Sequence, residues 1–169
     1  MNRVLCKPWR VLLVCMLTAG LVQAGQRVEL SLPDLDGNMH DIAQYRGKWV
    51  VLNYWATWCP PCITEIPELV VFHARHAEDD AVVIGINTES LDDQLLRDFV
   101  VDLEINYPIL REDPERMSPF SRMFGLPTSY IIGPDGSLVT RHNGPVTAEQ
   151  LEQIISTPPR KGASARTRT

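Results

Sequence analysis

Residues 49–55 (Trp49-Val50-Val51-Leu52-Asn53-Tyr54-Trp55) run almost without a polar break, and Cys59-Pro60-Pro61-Cys62 follows four residues later. A continuous apolar run of this length suits a strand buried on both faces, which requires helices or other cover on each side of a sheet. Proline is tolerated in the first turn of a helix, where the N–H it lacks would be unpaired anyway. The spacing therefore predicts a helix starting at the cysteines, with Cys62, Ile66, Leu69, Val70 and then His73 along one face. Pro67 is expected to kink it.

The remaining pattern fits the same class. Val28, Leu30 and Leu32 alternate with polar residues as in an entering strand, and Asp34-Leu35-Asp36-Gly37 reads as a turn. Residues 81–88 form a second buried strand, and Leu91, Leu95, Phe99, Val100 and Leu103 recur at helical spacing. A short extended piece at 108–110 precedes a predicted helix over 114–124. Residues 128–132 and 137–142 read as a hairpin around Pro134-Asp135-Gly136. Thr147 and Gln150 have capping-box spacing for a last helix carrying Leu151, Ile154 and Ile155. Strands alternating with helices, then a hairpin and a helix, specify an α/β domain with a mixed sheet flanked by helices.

Charge separates the ends from the body. Residues 1–24 carry three bases and residues 157–169 carry four, neither with an acid, whereas the body between holds nine bases and 21 acids. So acidic a body repels phosphate backbones, and nucleic acid is not an expected partner. Residues 1–10 are basic, residues 11–22 are uncharged, and Val22-Gln23-Ala24 has small-residue cleavage spacing. This reads as an export signal, with an uncleaved membrane anchor as the alternative; the apolar run is short of the roughly 20 residues a span needs. A lipoprotein signal at Cys15 is a lesser option, because bulky Val14 precedes it. The mature domain then covers 25–156, and the Pro-, Ser- and Arg-rich residues 157–169 read as a disordered basic tail.

Without the signal, two cysteines remain, Cys59 and Cys62. One Cys-x-x-Cys bridge closes too small a loop to stabilise a domain much, so the pair points to chemistry. At a helix N-terminus, free N–H groups and the dipole stabilise a thiolate on Cys59, which is expected to be exposed. Cys62, one turn on, can attack a mixed disulfide formed there. Two prolines between them withhold N–H donors, which implies weaker thiolate stabilisation and a reducing bias. Glu65, three residues beyond Cys62, is either a carboxylate tuning the pair or an acid complementing the helix dipole.

Residues 28–156 resemble the thioredoxin-like proteins of the TlpA/ResA/CcmG (DsbE) group, exported thiol–disulfide oxidoreductases. The resemblance rests on residues 47–62 (Gly47-Lys48-Trp49 through Trp58-Cys59-Pro60-Pro61-Cys62), on Glu65-Ile66-Pro67, and on Phe124-Gly125-Leu126-Pro127-Thr128. It implies a thioredoxin-like fold with an N-terminal strand or hairpin extension. It also implies Cys59 as attacking and Cys62 as resolving cysteine, Glu65 as the active-site glutamate, and Pro127 as a cis-proline facing the pair. The Leu126 backbone would then pair with an extended substrate. Asn53 stands where thioredoxin itself has a buried aspartate, which removes the usual candidate for proton relay. Gly133, where relatives often carry Asp, leaves the hairpin turn geometry open. The implied partners are disulfide-bearing clients, such as apocytochrome c or copper-delivery proteins, and a membrane electron donor for re-reduction. No cofactor is called for.

Cys62 and His73 on one helix lie roughly 16 Å apart at 1.5 Å per residue, so Cys59, Cys62, His73 and His76 cannot share a zinc ion and no metal site is expected. The main alternative is a binding protein that holds Cu(I), or a client, through Cys59 and Cys62 without turnover, since thiolates suit that ion. A peroxidase-like role fits less well with so close a pair. Trp58 either shields the site and contacts substrate or simply packs, and Trp49 and Trp55 read as core. His40, His73, His76 and His142 read as ordinary surface, loop or helix-face residues.

Overall fold

The computed structural model describes residues 27–113, 115, 118, 120 and 125–157. Along it run β1 (Ser31–Pro33), β2 (Met39–Asp41), a 3-10 turn (Ile42–Tyr45), β3 (Trp49–Trp55), α1 (Pro60–His76) and β4 (Ala81–Asn87). Then come α2 (Asp93–Asp102), β5 (Ile109–Arg111), β6 (Thr128–Ile132), β7 (Leu138–Asn143) and α3 (Ala148–Ser156). A five-stranded mixed sheet has the order β5-β4-β3-β6-β7, and β1 and β2 form a separate antiparallel hairpin. β3 is parallel to β4 and antiparallel to β6, so the two halves of the chain meet on the central strand.

Alternation along β3 sorts its side chains into two cores. Trp49, Val51 and Trp55 join Ile66, Leu69 and Phe72 of α1, Leu96 of α2 and Leu151 of α3. Val50, Leu52 and Tyr54 join Ile42, Val82, Ile84 and Ile132 beneath the N-terminal hairpin. The two crossovers β3–α1–β4 and β4–α2–β5 advance in the same direction, so with the usual right hand both helices cover the same face. Asn53 falls in the α1-facing set by the same count, a polar residue that is 1 % exposed.

The helices end where local chemistry ends them. Cys59 caps α1, with Pro60 and Pro61 in its first two positions, and the helix runs on through exposed Pro67 to His76. α3 opens on a complete capping box: Gln150 N–H donates to Thr147 Oγ1 at 3.2 Å and Thr147 N–H to Gln150 Oε1 at 3.0 Å. β5 pairs only with Gly85, Ile86 and Asn87, which leaves the first half of β4 without that neighbour. There the Val83 N–H donates instead to His73 Nδ1 at 3.1 Å, and the ring packs edge-on against Tyr107.

Several expectations need correction. The entering strand is confined to Ser31–Pro33; Val28 reaches the core by a single bridge, its N–H donating to the Gly136 carbonyl. His40 lies in β2 and not in a loop, contacting Asp34 at 2.9 Å across the hairpin turn; His76 lies on α1 as expected and contacts Asp80 at 2.8 Å. The turn around Gly133 is closed by two bonds, the Gly133 N–H donating to the Ser137 carbonyl and the Gly136 N–H to the Gly133 carbonyl. Residues 1–24, residues 158–169 of the tail and most of the helix expected over 114–124 lie outside the described residues. Among those described, no helix is long and apolar enough to cross a membrane.

Candidate active site

β3 delivers the chain to the C-terminal edge of the sheet, and four residues later Cys59 caps α1. Cys59 and Cys62 are joined by a disulfide, with Cα atoms 5.3 Å apart. Because Pro60 and Pro61 have no N–H, the nearest amide able to point at Cys59 is that of Cys62, which donates to Cys59 Sγ at 3.3 Å. The expectation of an exposed Cys59 is corrected: the residue is 3 % exposed and Cys62 is fully buried. Both belong to the α1-side core with Trp55, Ala56 and Ile66, and the exposed surface beside them is Trp58 (68 %), Pro60 and Pro61.

Glu65 sits one turn below Cys62, 2 % exposed. Its oxygens are both engaged from outside its own helix: Asn53 Nδ2 donates to Oε1 at 2.8 Å and the Val146 N–H donates to Oε2 at 2.9 Å. Glu65 is thus no helix-dipole acid, since neither oxygen faces an α1 N–H. Burial pushes its carboxyl up from 4.5 to about 7, against the lowering effect of those two hydrogen bonds. Tyr107 lines the same region; burial, and then the charge of Glu65, push its phenol above the usual range. Tyr107 Oη, Trp55 Nε1 and Asn53 Oδ1 are buried without a hydrogen-bond partner among the described residues.

The Leu126–Pro127 peptide bond is cis. β6 starts at Thr128 opposite Tyr54, so Pro127 enters the sheet at the level of Trp55, the end of β3 from which the cysteines emerge. The Pro127 carbonyl accepts from Gly144 N–H at 2.9 Å, and Leu126 packs against both cores. Cys59, Cys62, Glu65 and Pro127, chosen on the sequence, therefore gather at one end of the sheet. His73 and His76 do not; they lie toward the far end of α1, and no cluster of three or more metal-ligating side chains occurs among the described residues.

Two further carboxylates escaped the sequence reading. Glu89 accepts from the Thr57 N–H at 2.9 Å, from Thr57 Oγ1 at 3.1 Å and from Asn87 Nδ2 at 2.8 Å, which pins the loop leading to Cys59. The available signal was its place just past the end of a buried parallel strand, where α/β folds collect functional groups. Glu68 accepts from the Ala148 N–H at 2.9 Å, so two acids of α1 hold the segment entering α3.

Residues 24–141 match the AhpC/TSA family. The chain is 29 % identical over 122 residues to the thiol-disulfide oxidoreductase ResA of Bacillus thuringiensis subsp. konkukian, covering 72 % of this chain and 70 % of that protein. It is 30 % identical over 137 residues to the thioredoxin-like protein YneN of Bacillus subtilis, covering 80 % of each. Among solved structures, a thioredoxin-family thiol:disulfide interchange protein from Chlorobium tepidum superposes with a TM-score of 0.69 at 26 % identity, over 78 % of this chain and 94 % of that one. A bonded Cys-x-x-Cys pair, a mixed five-stranded sheet and these likenesses together place the chain in the thioredoxin-like AhpC/TSA family, as a thiol–disulfide oxidoreductase of the ResA/DsbE type.

Proposed function

We propose that the protein works outside the cytoplasm mainly as a reductant of disulfides in client proteins. The observation that carries this reading is the cysteine pair at the mouth of α1 at the same sheet end as a cis-proline. The Cys59 thiolate attacks a client disulfide, forming a mixed disulfide and releasing one client thiolate. The Cys62 thiolate then attacks Cys59 Sγ, releases the second client thiolate and leaves the Cys59–Cys62 disulfide. Glu65, whose proton comes and goes near neutral pH, tunes the thiols, with Cys62 nearest along the helix. Trp58 offers an exposed apolar contact, and Leu126 with Pro127 presents backbone to an extended client. The expected clients are apocytochrome c or copper-delivery proteins, with a membrane donor returning electrons to the pair. Residues 1–24 are read as the export signal.

Replacing Cys62 with Ser tests the chemistry directly. The variant should accumulate mixed disulfides with clients through Cys59 in the native compartment. A Cu(I)-holding protein without turnover would trap nothing and lose metal affinity instead. The reducing bias predicts a potential at or below about −270 mV, that of thioredoxin, and a value near about −120 mV, that of DsbA, would refute it.

A further inference from the structure

Asn53 spends both of its donors and leaves its acceptor idle. Nδ2 donates to Glu65 Oε1 at 2.8 Å and to Ser129 Oγ at 3.0 Å, while Oδ1 is buried with no hydrogen-bond partner among the described residues. That pose suits a charged carboxylate, which can only accept. It also strands a desolvated carbonyl, which is unfavourable. A planar amide holds the opposite arrangement half a turn away about χ2. After that turn, Oδ1 would accept from a protonated Glu65 and from the Ser129 hydroxyl, while Nδ2 would take the buried position that the carbonyl now holds without a partner. Each orientation therefore serves one charge state of Glu65.

The other groups facing Glu65 lack this property. The Val146 N–H, from the segment ahead of α3, can only donate. Tyr107, from the turn before β5, makes no hydrogen bond to it, and the cysteines of the first turn of α1 are bonded to each other. Glu68, the next acid along α1, is turned to the Ala148 N–H. Ser129, fully buried and two residues past cis-Pro127, gives the amide a fixed second partner in both poses.

We propose that Asn53 is a positioning residue that sets the proton affinity of Glu65 by turning its amide to match the charge of that carboxyl. The Asn at this strand position then does not remove proton control from the site; it moves it onto an amide–carboxyl pair. The inference rests on Glu65 serving the cysteine pair as proposed above.

The test follows the Glu65 carboxyl carbon and the Asn53 side-chain amide by NMR in the oxidised full chain, from acid to alkaline pH. Both should titrate with one midpoint. Asn53→Leu, which removes the donor to the charged form, should raise the Glu65 midpoint by about one pH unit, a shift that loss of packing alone would not produce. Asn53 resonances that stay flat through the Glu65 titration would overturn the proposal, and the wild-type measurement decides even if the variant fails to fold. So would an Asn53→Leu protein with a lowered melting temperature and an unchanged Glu65 midpoint. Neither readout needs a client: a failed disulfide-reduction assay sinks the proposed activity and leaves this coupling standing, and the reverse also holds.

Discussion

Glu65→Gln should make the protein's stability less sensitive to pH, in a defined direction. The folded chain binds the Glu65 proton more tightly than the unfolded chain, with the carboxyl raised from 4.5 to about 7. Between those values folding takes up a proton, so this group's contribution is intact below 4.5 and is lost progressively as pH rises to about 7. The full gap corresponds to about 3 kcal/mol, the cost of holding a charged carboxylate in a site that is 2 % exposed. Glutamine is neutral throughout and of nearly equal shape. Its Oε1 can accept from the Val146 N–H, and its amide can donate to Asn53 Oδ1 once the Asn53 amide has turned to bring that oxygen round. Urea denaturation of the oxidised proteins should find the variant within about 1 kcal/mol of wild type at about pH 4, where both side chains are neutral. By about pH 8 it should be the more stable by about 3 kcal/mol. Comparing the two proteins at each pH cancels every other titrating group, His73 included. A stability difference that stays constant with pH would refute the reasoning, because it would mean that folding does not penalise the Glu65 charge.

Three other outcomes are expected. Gly85→Ala places a Cβ 2.7 Å from Ile109 Cδ1, 3.0 Å from Trp55 Nε1 and 3.1 Å from Tyr107 Cε2. The overpacking should cost about 1–3 kcal/mol, seen as a melting temperature lowered by several degrees. Glu89→Ala removes the acceptor for both Thr57 donors and for Asn87, so it should destabilise by about 2–3 kcal/mol and speed alkylation of reduced Cys59 as its loop loosens. Burial holds the imidazolium of His73 below its ordinary 6.5, so its contribution is present above that pH and declines as pH falls beneath it. His73→Phe should abolish that decline in the urea midpoint, and at neutral pH it should cost about 1–3 kcal/mol through the unpaired Val83 N–H.

What could be read in advance was whatever depends on neighbours in the chain. The run 49–55, the Thr147–Gln150 box and the helix opening at Cys59 each announce themselves within a few residues, and all three appear where expected. Cys59, Cys62, Glu65 and Pro127 were reached partly through spacing and partly through family resemblance. The partners of Glu65 were not legible, because Asn53 and Val146 lie 12 and 81 residues away and meet it only once the sheet and α3 are in place. The clamp by Glu89 crosses 32 residues in the same way. The burial of Cys59 could not be foreseen either: a cap position looks open in one dimension, and here it belongs to the same buried core as Trp55, Ala56 and Ile66. The role of His73 followed from the shortness of β5, which leaves a strand N–H in need of an acceptor.

The two prolines in the first turn of α1 act on the reduced protein as much as on the oxidised one. Each ring fixes its own φ near −65°, so the dithiol form has few conformations to lose when its sulfurs join. Ring closure at this spacer is entropically cheap, and a cheaply closed disulfide is a stable one. Stability of that bond is the same quantity as willingness to give up electrons. Under the proposed function, the stiffness of two residues without chemistry of their own would push the exchange toward the client's reduction.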